Sequence, residues 1–190
     1  ASRYTKALAR SMSNAKQVKA VTPLIDGLPS TDGYDSGDGV SLFNTSHTTV
    51  SGTAVKNTLS TQADLNETSL EQALIDIAGM TDERGLRVAA RGVKMIIPSA
   101  NQFNAERLMK SQGRTGTADN DINAVASMGM IPQGYRVNNF LTDTDSWYII
   151  TDVPNGMKMF QRAALKTAME GDFDTGNVRY KARERYSFGV

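Results

Sequence analysis

"NVRYKARERYSFGV", residues 177–190, decides the fold. Val178, Tyr180, Ala182, Tyr186, Phe188 and Val190 share one parity, and Arg179, Lys181, Arg183 and Arg185 share the other. Successive side chains of a β-strand point to opposite faces, so a period of two predicts one long strand with a buried side and a cationic side. Only Glu184 interrupts the apolar side. It should find a cation or sit at the rim of the sheet. The cations repeat about every 6.7 Å along such a strand. Each adjacent pair then repels by about 0.6 kcal/mol in water. Anionic groups, carboxylates first, are the expected offset.

A strand apolar on one side needs a cover. The other end of the chain offers one. Tyr4, Leu8, Met12, Ala15 and Val18 recur at spacings of four and three, which predicts an amphipathic helix over residues 2–21, stopped by Pro23. Between these ends the elements are shorter. "VSLF" (40–43) is a strand candidate. Leu70, Ala73, Leu74, Ile77 and Ala78 mark a helix, with Thr68–Glu71 or Asp64–Glu67 as capping box and Gly79 as its stop. "DERG" is a turn and "VKMIIP" a strand buried on both faces. Ser99 is expected to cap a helix reaching Lys110, with Phe103 and Leu108 inward. A helical turn in "INAVASMGM", strands at "YRVNNF" and "WYIITD", and a hairpin turn at "VPNG" before "MKMFQR" complete the reading. The methionines of "MGM" and "GMKMF" are expected to be adaptable packing, and Trp147 to be core.

The chain has 190 residues, 39% of them hydrophobic, enough for one core or two small linked subdomains. It has no cysteine, which removes disulfides, thiolate zinc sites and cysteine nucleophiles together. No apolar run is long enough to span a membrane. The net charge is +1, but the charges are blocked: residues 26–83 hold ten acids and one cation, and residues 84–116 hold seven cations and one acid. Opposite blocks on a near-neutral chain suit complementarity between copies.

"SGDGVSLFNTSHTTVSG" (36–52) places the single histidine, His47, near Asp38, Ser41 and Ser46, which invites a serine hydrolase. No G-x-S-x-G elbow is present, and the segment reads as exposed and polar, so no catalytic residue is assigned. Asp32, Asp35 and Asp38 are three apart, unlike the alternate spacing of a calcium loop. No glycine-rich phosphate loop follows a strand. Neither a metal nor a cofactor is expected. A nucleic-acid-binding module using the basic strand lacks an aromatic platform.

The ordered set "GDGVSLFNTSHT", "DLNETSLEQALIDIAGMTDERGL", "VKMIIPSANQFNAERLMKS", "FLTDTDSWYIITDVPNGMKMF" and "FDTGNVRYKARERYSFGV" resembles tailed-bacteriophage major capsid proteins of the Hong Kong 97-like fold. The resemblance implies an α+β chain: a long spine helix, a peripheral-domain sheet, and an axial domain with a mixed sheet flanked by helices. Residues 1–58 would begin the peripheral domain, 59–165 form the axial domain, and 166–190 supply the peripheral return strand. The family's N-terminal arm, extended loop and C-terminal tail are absent from this stretch, so a fragment of a longer protein is expected. Some relatives crosslink a lysine to an asparagine, but the usual lysine segment is missing and no crosslinking residue is carried over.

The implied function is a structural, non-enzymatic subunit. Its partners would be copies of itself in pentamers and hexamers, with scaffolding, portal and decoration proteins. The icosahedral head would enclose double-stranded DNA without sequence-specific contact or a membrane, and would be assembled in the host bacterial cytoplasm. Arg179, Lys181, Arg183 and Arg185 are the expected subunit-contact residues. The alternative is an encapsulin-like cellular compartment protein, with a His47 serine hydrolase behind it.

Overall fold

A computed structural model describes residues 2–29, 34–114 and 121–189. Asp32, Val190 and residues 115–120 lie outside them. The elements run α1 (Ser2–Ile25), β1 (His47–Thr48), β2 (Ala54–Val55), α2 (Glu67–Ala78), β3 (Gly92–Ile97), a 3-10 turn (Ser99–Asn101), α3 (Gln102–Lys110), α4 (Ala124–Met128), β4 (Tyr135–Val137), β5 (Tyr148–Thr151), β6 (Lys158–Gly171) and β7 (Val178–Gly189). The chain is mixed α+β. It divides into two units: Ala1–Pro23 with Asn155–Val190, and Leu24–Pro154.

The Leu24–Pro154 unit holds a three-stranded mixed sheet of order β4-β3-β5, with β3 parallel to β4 and antiparallel to β5. "VKMIIP" is central, as a mostly apolar run requires, although Val93, Lys94 and Ile96 are only half-buried, so its burial on both faces is incomplete. Met95 and Ile97 are fully buried there. They join Leu65, Leu70, Leu74, Ala105, Leu108, Val125 and Ile131 in one cluster, so α2, α3 and α4 share a core with β3. Each such side chain contributes about 1.5–3 kcal/mol by leaving water. Gly92 lets α2 approach the sheet: a Cβ there would stand 2.9 Å from Leu74 Cδ2 and 3.1 Å from Ile149 Cγ2. Trp147 is half-buried against the core and donates its Nε1–H to the Ala63 carbonyl at 3.0 Å.

Local chemistry moved several boundaries. The N-cap of α2 is Asn66, not Thr68 or Asp64: its side chain accepts from the Ser69 backbone N–H at 2.9 Å, while the Ser69 hydroxyl accepts from the Asn66 N–H at 3.0 Å. Ser closes this box in place of the expected Glu, because its short hydroxyl also donates to the Asp64 carbonyl at 2.7 Å. Ser99 begins a 3-10 turn rather than capping α3. Phe103 is 72% exposed, and Ala105 takes the inward position beside Leu108. "VSLF" yields only an isolated bridge, Asp35 to Ser41, and the short strand of this region is β1. "DERG" turns as expected, with the Asp82 carboxylate accepting from the Arg84 and Leu86 N–H groups.

The other unit carries most of α1 and the β6–β7 pair. Pro23 does not stop α1, which continues to Ile25. A proline this near a helix end removes only one ladder bond. The Leu24 carbonyl, one of the last orphan acceptors, is instead taken by Tyr148 Oη at 2.7 Å within the Leu24–Pro154 unit. The inward face of α1 also differs from expectation. Leu8, Met12 and Lys16 are half-buried, whereas Tyr4, Ala15 and Val18 are exposed.

β6 and β7 form an antiparallel hairpin closed by residues 172–177. Its register slips twice, between Gln161 and Ala163 and between Ala163 and Lys166, at bulges of β6. The turn at "VPNG" is present, with Asn155 at φ 67°, but β5 and β6 belong to different sheets and do not pair across it. The methionines of this stretch are not packing residues: Met157 and Met159 are 44% and 43% exposed. Met128 and Met130 of "MGM" are exposed as well.

Candidate assembly interface

The period-two pattern of β7 is realised. Tyr180, Ala182, Glu184, Tyr186 and Phe188 are half-buried, while Arg179, Lys181, Arg183 and Arg185 are exposed. Val178 departs from the pattern at 54% exposure. Glu184 finds its cation. Lys16 of α1 forms an ion pair with it, and the same ammonium stands 5.3 Å from the centroid of Tyr186. The amphipathic helix supplies the cation from its own half-buried face.

On the other face, Arg179 is held by Asp172 at 2.8 Å. Lys181, Arg183 and Arg185 have no carboxylate partner among the described residues. The partner strand adds a like charge: Lys166 stands directly opposite Arg183. Glu170 stands opposite Arg179, and Ala163 and Ala168 oppose Arg185 and Lys181. Directly opposed residues share a face, so Lys166 extends the cationic stripe across both strands. Sequence reasoning missed Lys166 because cross-strand register is set by the two bulges, which no periodicity announces. Chemically, the stripe offers water-exposed cations that an anionic group could meet.

His47 is not the exposed residue the sequence suggested. Its side chain retains 16% of its exposure, and Nδ1 lies 2.8 Å from Asp38 Oδ2. The Ser36 hydroxyl donates to the other Asp38 oxygen. That bond first, and His47 second, hold the Asp38 carboxyl down to about 2. A hydrolytic triad would place a serine hydroxyl on Nε2. Among the described residues nothing hydrogen-bonds His47 Nε2. The Ser41 hydroxyl donates to the Phe43 carbonyl at 3.4 Å and accepts from Asn44 at 3.1 Å. His47 thus ties β1 to the turn at Asp38 and lines an open cleft with Leu42, Val55, Ile75 and Arg87. The described residues contain no cluster of three or more histidine, cysteine or acidic residues able to hold a metal ion, and no helix long and apolar enough to cross a membrane.

The family model for phage capsid proteins matches residues 1–190, the entire chain. The chain belongs to the phage capsid protein family. A capsid protein is a structural component of the virion. No curated protein matches this capsid-family chain, and no solved structure does.

Proposed function

We propose that this protein is a major capsid subunit of the Hong Kong 97-like fold, building an icosahedral phage head around double-stranded DNA. Residues 1–58 and 166–190 would serve the peripheral role and residues 59–165 the axial role around pentamers and hexamers. Assembly would take place in the host bacterial cytoplasm, with scaffolding, portal and decoration proteins as further partners. The DNA would be enclosed without sequence-specific contact.

The β6–β7 hairpin is the observation that carries this reading. A two-stranded sheet is marginal alone in water. This one spans 14 and 12 residues, yet exposes Phe160, Leu165, Met169 and Val178, and among the described residues its Lys166, Lys181, Arg183 and Arg185 have no carboxylate partner. Such a surface calls for cover by other copies, and Arg179, Lys181, Arg183 and Arg185 are the residues we assign to that contact.

The experiment is expression of the complete reading frame with any scaffold it requires, followed by electron microscopy and nuclease digestion. Closed particles with nuclease-protected DNA in infected cells are expected. Particles filled with protein instead would favour a cellular compartment. A species that stays monomeric under every such condition would overturn the shell reading.

A further inference from the structure

The β6–β7 hairpin is charged unevenly along its length. Residues 170–177, "EGDFDTGN", hold three carboxylates and no cation. The middle of the hairpin holds Lys166, Lys181, Arg183 and Arg185, none of them neutralised among the described residues. Asp172 and Arg179 cancel at the boundary between the two regions. Asp174 therefore remains as an uncommitted acid at the tip, beside a fully exposed Phe173.

Beyond the Asp172–Arg179 pair, the tip cannot reach the middle of its own stripe. Arg183 lies five positions along β7 from Val178, or about 17 Å at the rise of an extended strand. That exceeds the reach of a direct ion pair several-fold. The face has apolar content as well: Phe160 pairs with Ser187, stands on the cationic side and is 54% exposed. An acidic tip with a bare aromatic ring thus matches, in charge and in polarity, a basic stripe with a bare aromatic ring.

We propose that the hairpin tip of one copy docks on the cationic stripe of the next. Asp174 pairs with Arg183 of the receiving copy, with Lys166 opposite that arginine and Lys181 and Arg185 farther along the stripe. Phe173 packs over a guanidinium, an arrangement favoured by the ring's negative face. The contact is heterologous, tip on stripe, so each copy gives one half and receives the other, as ring closure requires. This inference rests on the shell reading and names the partner of the stripe; an acidic segment of residues 26–83 and DNA phosphate are its rivals.

The chain has no cysteine, so single thiols can be placed cleanly. Asp174→Cys and Arg183→Cys proteins are prepared separately, co-assembled and treated with a short bismaleimide. Covalent dimers are expected from the mixture at about ten times the level given by either protein assembled alone, since only unlike sites meet in a heterologous contact. Particles without mixed dimers, or dimers from Arg183→Cys alone, overturn the inference.

A second arm covers failure of either variant to assemble. Arg183→Glu is expected to cut particle yield at least about tenfold, the effect of a 1.4 kcal/mol loss per contact. Adding Asp174→Lys should restore it. Lack of rescue, or rescue only by reversing an acid within 26–83, overturns the tip contact. If the unsubstituted protein forms no particles the shell reading itself falls, whereas particles without crosslink or rescue remove this inference alone.

Discussion

Lys16 and Glu184, 168 positions apart, form an ion pair between α1 and the apolar face of β7. The Glu184 side chain keeps only 4% of its exposure and Lys16 keeps 31%. Removing one member of such a pair leaves a charge without its counterpart in poor solvent. Lys16→Ala should therefore destabilise the fold by about 1–3 kcal/mol, below the fully buried case because the ammonium is partly wet. Lys16→Met with Glu184→Leu should recover most of that loss. Denaturant titration of the three proteins checks both statements.

Asp38 makes stability depend on acidity. Its carboxyl is held at about 2, against 3.8 for an ordinary aspartate, by the Ser36 hydroxyl and His47. A group whose folded value is depressed stabilises above its unfolded value and loses that contribution as pH falls through the folded one. The melting temperature should therefore decline between about pH 4 and about pH 2, and Asp38→Asn should flatten that part of the profile. A melting series across this window in both proteins is the check.

An exposed, polar segment, as the sequence alone suggests, would make His47→Ala nearly neutral. With the ring largely buried and bonded to Asp38, the loss should exceed the roughly 0.5 kcal/mol typical of open surface sites. Equilibrium unfolding near neutral pH measures it.

Gly92→Ala places a methyl within 2.9 Å of Leu74 Cδ2 and 3.1 Å of Ile149 Cγ2. Leu74 is buried and has little room to yield. Overpacking of this kind costs about 1–3 kcal/mol. The same substitution at Gly156, where nothing lies within 4 Å, is the control.

Asn66→Ala should cost about 1 kcal/mol by removing the cap of α2. Thr68→Ala, at the position the sequence pattern favoured, should stay within about 0.5 kcal/mol. Helix content and unfolding midpoints of the two variants separate the assignments.

The elements were legible where periodicity or a single residue type decides. The alternation of β7, the apolar run of β3 and the stripe of α2 each specify one geometry, and the lone Glu184 announced its need for a cation. Features set by competition between neighbours were not legible. Asn66 wins the cap from Thr68 and Asp64 because Ser69 can bond both Asn66 and Asp64. The face of α1 rotated away from Tyr4 and Val18 because Lys16 is drawn to Glu184 and Tyr186. Of the candidate interface, the four cations of β7 could be read directly. Lys166 could not, since two bulges place it opposite Arg183. The His47–Asp38 bond spans nine positions through a loop, and no local rule predicts its closure.

The division of the chain sets an order of manufacture. Leu24–Pro154 is continuous, whereas the other unit joins the first 23 residues to those from 155 onward. A ribosome adding about 5–20 residues per second releases β7 about 8–34 s after α1. During that interval the inserted unit can fold while Lys16 waits for Glu184. The half of the divided unit that carries Lys16 therefore emerges first, and it stays without its β6–β7 sheet until the whole Leu24–Pro154 segment has been made.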